Sequence, residues 1–214
     1  MHYKNSVPSE AFFKIKYEDL MGIFYGMTKE IYVGDRSQVR PGSFWTSFET
    51  DPYLKITRSD IYGRCVPCIE SLYFQIKEGK ELINVELVNN CWKVGIILNS
   101  EEECLAFLYY YQENFLSARP VRGRFGTRDA NLGTYLLLFQ AESETEKDIL
   151  EEELTLCKAA LQRPAEIFIQ KGCASLYHEL LGPWQAWQAY TPIQKPDLVP
   201  QLLSHIRKLL FWDE

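Results

Sequence analysis

Residues 119–129 read RPVRGRFGTRD, and how this stretch is read decides how the chain divides. It places Arg119, Arg122, Arg124 and Arg128 within ten positions of a 214-residue chain whose formal net charge is −6. Gly123 and Gly126 stand among them. Charge at this density, broken by two glycines, interrupts any apolar period. The segment therefore reads as a loop over 117–132, the best internal boundary in what otherwise reads as one compact domain. Connections of that length without structure of their own are uncommon unless they bind something or are disordered.

Two chemistries suit such a loop. Guanidinium groups present planar, bidentate donors that match phosphate and carboxylate oxygens. Glycines let backbone N–H groups approach an anion closely. On the other side, residues 142–153, ESETEKDILEEE, hold seven acids and one lysine, which accounts for the whole net charge. The acidic helix expected there, from 144 to 161, can simply pair with the arginines. GRFGTRD lacks the Gly-Lys-Ser/Thr ending of a phosphate loop, and its glycines do not follow the strand-to-helix pattern of a dinucleotide fingerprint. An acidic chain also argues against nucleic acid held over the whole surface, which needs a basic face.

Either side of the loop the periodicity is clearer. SLYFQIK (71–77), ELINVELV (81–88) and CWKVGIIL (91–98) read as three strands of an antiparallel meander, joined at Glu78-Gly79 and Asn89-Asn90. Ser100 with Glu103, and Ser143 with Glu146, each form a capping box that opens a helix. GTYLLLFQA (133–141) and AEIFIQ (165–170) read as strands, ASLYHELL as a helix, and the last segment as a helix with Val199, Leu202, Leu203, Ile206, Leu209 and Leu210 on one side. The expected class is α+β: an antiparallel meander with packed helices, then a β-α-β-α-α segment, with room for one parallel strand pair. Residues 9–26 read as a short helix and a strand, followed by turns at Pro41-Gly42 and Asp51-Pro52.

No catalytic constellation stands out. Cys65 and Cys68 form a lone Cys-x-x-Cys, whereas tetrahedral zinc needs two further ligands, normally a second close pair. The six cysteines are irregularly spaced, several within apolar stretches, and read as reduced structural thiols. His2, His178 and His205 have no partnering spacing, and Cys173 with His178 is five residues apart, a poor facing on an ordinary helix. No metal and no cofactor is expected. Trp184, Trp187 and Tyr190 recur every third residue in GPWQAWQAY, as a stripe that stacks on a base or partner, or packs in the core.

Over residues 25–48, YGMTKEIYVGDRSQVRPGSFWTSF resembles the opening of ADP-ribosyltransferase domains, an aromatic-Gly strand end followed by a GSFWTS strand. It departs from them in carrying Tyr25 where those domains tend to have Arg or His, and in lacking an identifiable catalytic glutamate, a place for which Glu86 is only a guess. The resemblance implies a nucleotide-dependent transferase, with Arg122, Arg124 and Arg128 on phosphates and Glu86 or Asp129 doing chemistry. The residues by themselves favour a noncatalytic binding or regulatory domain. It would recognise a phosphorylated or acidic small molecule, or an acidic protein partner, through Arg119, Arg122, Arg124 and Arg128, with Trp184 and Trp187 alongside. A third class is a structural subunit of an assembly, docking through the last helix or the Trp segment. Residues 1–20 lack a basic start followed by an apolar run, and no segment nears the ~20 apolar residues that span a bilayer, so a soluble cytoplasmic protein without membrane contact is expected.

Overall fold

The computed structural model describes residues 32–33, 44–49, 56–58, 61–62, 66–115, 121–129 and 134–210. The expected elements at 9–26 and turns at 41–42 and 51–52, together with Arg119 and Cys65, lie outside these residues.

Both capping boxes form. Glu103 N donates to Ser100 Oγ at 3.1 Å, and the Glu103 carboxylate accepts from Asn99 N at 2.9 Å, opening α2 (Glu101–Phe115). Glu146 N donates to Ser143 Oγ at 3.1 Å and Glu146 accepts from Glu142 N at 2.7 Å, opening α3 (Glu144–Leu161). These bonds satisfy amides that have no partner within the helix. The α3 helix stops at Gln162, which turns left-handed (φ 50°) and donates to Ala159 O.

The large sheet contains β1 (Tyr32–Val33), β2 (Phe44–Glu49), β6 (Trp92–Leu98), β7 (Arg122–Asp129), β8 (Thr134–Ala141) and β9 (Glu166–Lys171). Their spatial order is β1-β2-β7-β8-β6-β9, and every neighbouring pair is antiparallel, so no parallel pair occurs in it. The chain runs β6-α2-β7-β8-α3-β9, with strand order β7-β8-β6-β9, which is the ferredoxin-like, split β-α-β arrangement. Strands β2 and β1 extend it beyond β7. The class is α+β. As expected, a strand, a helix, a strand and two helices follow the arginines, the first of those two a π-turn over Ala174–His178 that runs into α4 (Glu179–Leu181), the second α5 (Val199–Leu210).

Three expectations are corrected. SLYFQIK is not a strand but the body of helix α1 (Val66–Lys77), whose buried Ile69, Leu72, Tyr73 and Ile76 recur at helical spacing. Its short apolar run fits either period, and Pro67, a residue that suits a first helical turn, sets the choice. Of ELINVELV only Leu82–Asn84 is a strand (β5), followed by a 3₁₀ turn at Glu86–Val88, and β5 pairs with β10 (Tyr190–Pro192) rather than with β6. The meander is therefore absent. The buried side chain of Gln75 helps to fix this outcome: its Oε1 accepts from Asn84 N at 2.6 Å and its Nε2 donates to Asn84 O at 3.1 Å. A further small ribbon pairs β3 (Ile56–Arg58) with β4 (Ile61–Tyr62).

Third, the arginine segment is not a loop. Residues 122–129 form a strand flanked by β2 and β8. Val121 and Phe125 belong to the core under α2 and α3, so Gly123 shares that side, while Arg122 and Arg124 lie on the other. The strand period is present, with a glycine occupying an inward position where an apolar side chain would have revealed it. Gly123 is required there, because a Cβ would sit 1.9 Å from Leu138 O and 2.5 Å from the Phe48 ring.

Two cores result. The first lies between the sheet and helices α2 and α3, and includes Phe48, Val94, Ile96, Phe107, Tyr111, Phe125, Leu137, Phe139, Leu150 and Leu154. The second joins α1, β5, the π-turn, α4 and α5 through Leu72, Ile76, Ile83, Tyr177, Leu180 and Ile206. On the sheet face away from α2 and α3, the Phe168 ring lies over Gly95, where a Cβ would come within 2.2 Å of it. Gly95→Ala should therefore destabilise the fold by about 1–3 kcal/mol, and adding Phe168→Ala should recover part of that loss, since the obstruction is a side chain. Gly123→Ala should have no such rescue in Phe48→Ala, because Leu138 backbone also stands in the way. Urea denaturation of the single and double variants measures both.

Candidate functional site

Arg122 and Arg124 occupy alternate positions of β7, and so sit side by side on the sheet face opposite α2 and α3, roughly 7 Å apart along the strand. The register extends this into a row. Lys93 is opposite Gln140 on β8 and Gln170 on β9, and Gln140 lies one step past the Gly123–Phe139 pair, beside Arg122. Arg122, Gln140, Lys93 and Gln170 thus cross four strands on one face. The first three are buried, Arg122 at 7% exposure and Lys93 at 5%. Arg124 occupies the next row, level with Leu138, Gly95 and Phe168, and is partly buried.

Burying a guanidinium requires an opposite charge or a full set of acceptors. For Arg122 the charge comes from Glu142, whose carboxylate pairs with Nη2, while Glu142 itself remains 52% exposed. Arg122 Nε is buried and makes no hydrogen bond among the described residues. The acid that meets the arginine therefore stands just before α3. Within the helix, Glu153 instead accepts a hydrogen bond from Tyr111. Of the four arginines, β7 brings Arg122 and Arg124 together. The Arg128 backbone lies on the same strand, and Arg119 is outside the described residues. Glu86 is exposed on the 3₁₀ turn.

Trp184 and Trp187 are placed differently from a shared stripe. Trp184 lies in a 3₁₀ turn and packs edge-on against Trp92, with centroids 5.3 Å apart. Trp187 packs on Tyr177 and on His178, the latter at 5.0 Å, and its Nε1 donates to Gly182 O at 3.1 Å. Tyr190, by contrast, is exposed. His178 Nε2 bonds Lys171 O at 2.6 Å, which holds the imidazole to the end of β9.

A second chemical cluster was not foreseen. Cys68 on α1, Cys91 just before β6 and Cys173 after β9 converge around Lys93 and Tyr177. Lys93 Nζ donates to Gly172 O at 2.5 Å and lies 3.4 Å from Cys91 Sγ; Tyr177 Oη donates to Cys68 O at 2.7 Å. Burial above all, then the neighbouring Cys91 and Cys173 thiols, pushes Cys68 up to about 11. Burial, followed by Cys68, Cys173 and Cys91, likewise holds the Tyr177 phenol far above its ordinary value. Cys91 and Cys173 are 82 residues apart, and only the β6–β9 register, with Gly172 N donating to Cys91 O at 2.8 Å, joins them. The visible sequence signal was Cys65-x-x-Cys68 alone. Among the described residues no group of three or more His, Cys, Asp or Glu is arranged to hold a metal ion, and no helix is long and apolar enough to cross a membrane. Comparison of the chain with protein families, with curated proteins and with solved structures finds no match.

Glu142→Gln should lower stability by about 1–2 kcal/mol, less than the loss from a fully buried pair because water reaches Glu142. Combining it with Arg122→Met should recover most of that loss, as read from urea midpoints. The thiols give a pH dependence of defined sign. Folded Cys68 keeps its proton to about 11, whereas the ordinary thiol value is 9.0, so its contribution is complete below pH 9 and is lost as pH rises from 9 to about 11. Cys157, raised to about 12 chiefly by burial, acts in the same direction. Denaturation in reductant from pH 8 to 11 should show a falling midpoint, with a shallower fall in Cys68→Ser.

Proposed function

We propose that this chain is a binding or regulatory protein that holds an anionic ligand on the face of its large sheet opposite α2 and α3, with Arg122 and Arg124 as the anchoring groups. The carrying observation is the placement of two guanidinium groups at alternate positions of one interior strand, on the face that also bears Lys93 and Gln140. A strand held on both sides fixes its side chains more firmly than a loop, which suits a preorganised anion site. Arg122 commits Nη2 to Glu142 and retains donors, including Nε, for a further oxygen. The ligand class is a phosphorylated or acidic small molecule, or an acidic protein segment. Nucleic acid fits less well, because the chain is acidic as a whole.

The test is a thermal-shift screen of wild type and an Arg122→Ala/Arg124→Ala double variant against inorganic phosphate, nucleotides, NAD, citrate and a short single-stranded oligonucleotide. A ligand at 100 times its Kd stabilises by about 2.7 kcal/mol, a shift of roughly 5–10 °C for a chain of this size. The expected result is such a shift with one acidic compound in wild type and its loss in the variant. An unchanged shift in the variant places binding elsewhere, and no shift with any compound sets the proposal aside.

A further inference from the structure

We propose that Cys68 and Cys91 are a peroxide-sensitive dithiol that closes into a reversible disulfide linking helix α1 to strand β6. Both cysteines contact one short turn, Cys68 through its sulfur and Cys91 through its backbone. Cys68 Sγ donates to Leu87 O at 3.4 Å, and Cys91 N donates to the adjacent carbonyl, Val88 O, at 3.1 Å. The 3₁₀ turn Glu86–Val88 thus carries a contact to each cysteine, one reaching from α1 and one leading into β6. Both are half-buried, so a molecule as small as hydrogen peroxide can reach them, whereas Cys104 and Cys157 are sealed in the first core.

The two thiols take different roles. Lys93 Nζ donates to Cys91 Sγ at 3.4 Å, and this contact orients that sulfur as the attacking one. Cys68, whose sulfur lies on the Leu87 carbonyl of the same turn, follows as the resolving thiol. In the first step Cys91 sulfur attacks one peroxide oxygen, the O–O bond breaks, and the thiol proton leaves with the other oxygen as water, giving a sulfenic acid. In the second step Cys68 sulfur attacks Cys91 sulfur, the S–O bond breaks, and a second water leaves with the Cys68 proton. Two electrons pass from the sulfurs to one hydrogen peroxide, which becomes two waters. A thiol reductant reverses the change. The product ties the second core, through α1, to the sheet of the first, and Cys173 stands near enough to both to make the pairing a specific claim.

The experiment treats the purified full chain with hydrogen peroxide, blocks the remaining thiols, and maps the digest by mass spectrometry without and with dithiothreitol. The expected result is a Cys68–Cys91 linked peptide that dithiothreitol removes, loss of two titratable thiols per chain, and Cys104 and Cys157 still reduced. Cys173→Ser should form the same link, while Cys68→Ser and Cys91→Ser should not. A link made through Cys65 or Cys173 instead, or thiols unchanged in the folded wild type, overturns the proposal. The wild-type map decides the matter even where a variant folds poorly.

Discussion

Placing β7 inside the sheet is the constraint that the remaining architecture answers to. A strand with arginine at alternate positions must turn its charges to one face and fill the core from the other. In β7 the core side is supplied by Phe125 and by the absence of a side chain at Gly123, into whose space the Phe48 ring and the Leu138 carbonyl come. The charged side then becomes a property of the whole sheet, since the register sets Gln140, Lys93 and Gln170 level with Arg122. Glu142 is available to Arg122 because β8 ends one residue before it and the Ser143 capping box turns the chain away there. The same few residues therefore end a strand, start a helix and neutralise a buried guanidinium.

The two cores meet around Lys93. Its ammonium reaches the Gly172 carbonyl at the end of β9 and lies beside Cys91 at the start of β6. Beyond Gly172 the chain enters the π-turn, whose Tyr177 both fills the second core and donates to α1 at Cys68 O. Gly172 itself turns at φ 69° with the Trp187 ring 3.0 Å from where a Cβ would be, so a side chain there would meet both backbone strain and an aromatic wall. The junction is thus built from a lysine, a glycine, a tyrosine and the Trp187 indole, with Trp184 closing over Trp92 on the other side. Such wide helical turns are rare.

Much of the α+β layout could be read from the residues: both capping boxes, strands β6, β8 and β9, helix α3 with its buried face of Leu150, Leu154 and Cys157, and the amphipathic α5. Three segments could not, ELINVELV among them because its one strand pairs with distant Tyr190–Pro192. In SLYFQIK, polar Gln75 faces inward to clamp Asn84, which hides the helical period behind an apparent alternation. In RPVRGRFGTRD, a glycine takes an inward position, and a strand without its apolar half resembles a loop. The arginines stand out in the sequence, but not their geometry, because β2 and β8, which flank them, are set by distant sequence. The thiol cluster was invisible for the same reason: no local pattern relates Cys91 to Cys173, and only the pairing of β6 with β9 does.

The β5–β10 ribbon carries a consequence for the order in which the chain folds. Leu82–Asn84 waits for Tyr190–Pro192, and α1 packs on α5, so the second core closes contacts more than a hundred residues apart in sequence. The split β-α-β unit, by contrast, is contiguous from Trp92 to Lys171. Loop closure over the longer separation is entropically dearer and slower. On a ribosome the sheet and its two helices are complete while α5 is still unmade, and α1 must remain in solution with its apolar face open until the last helix emerges. Truncation near the C-terminus would therefore remove the last-made part of the second core, leaving a finished ferredoxin-like unit with an unpartnered helix in front of it.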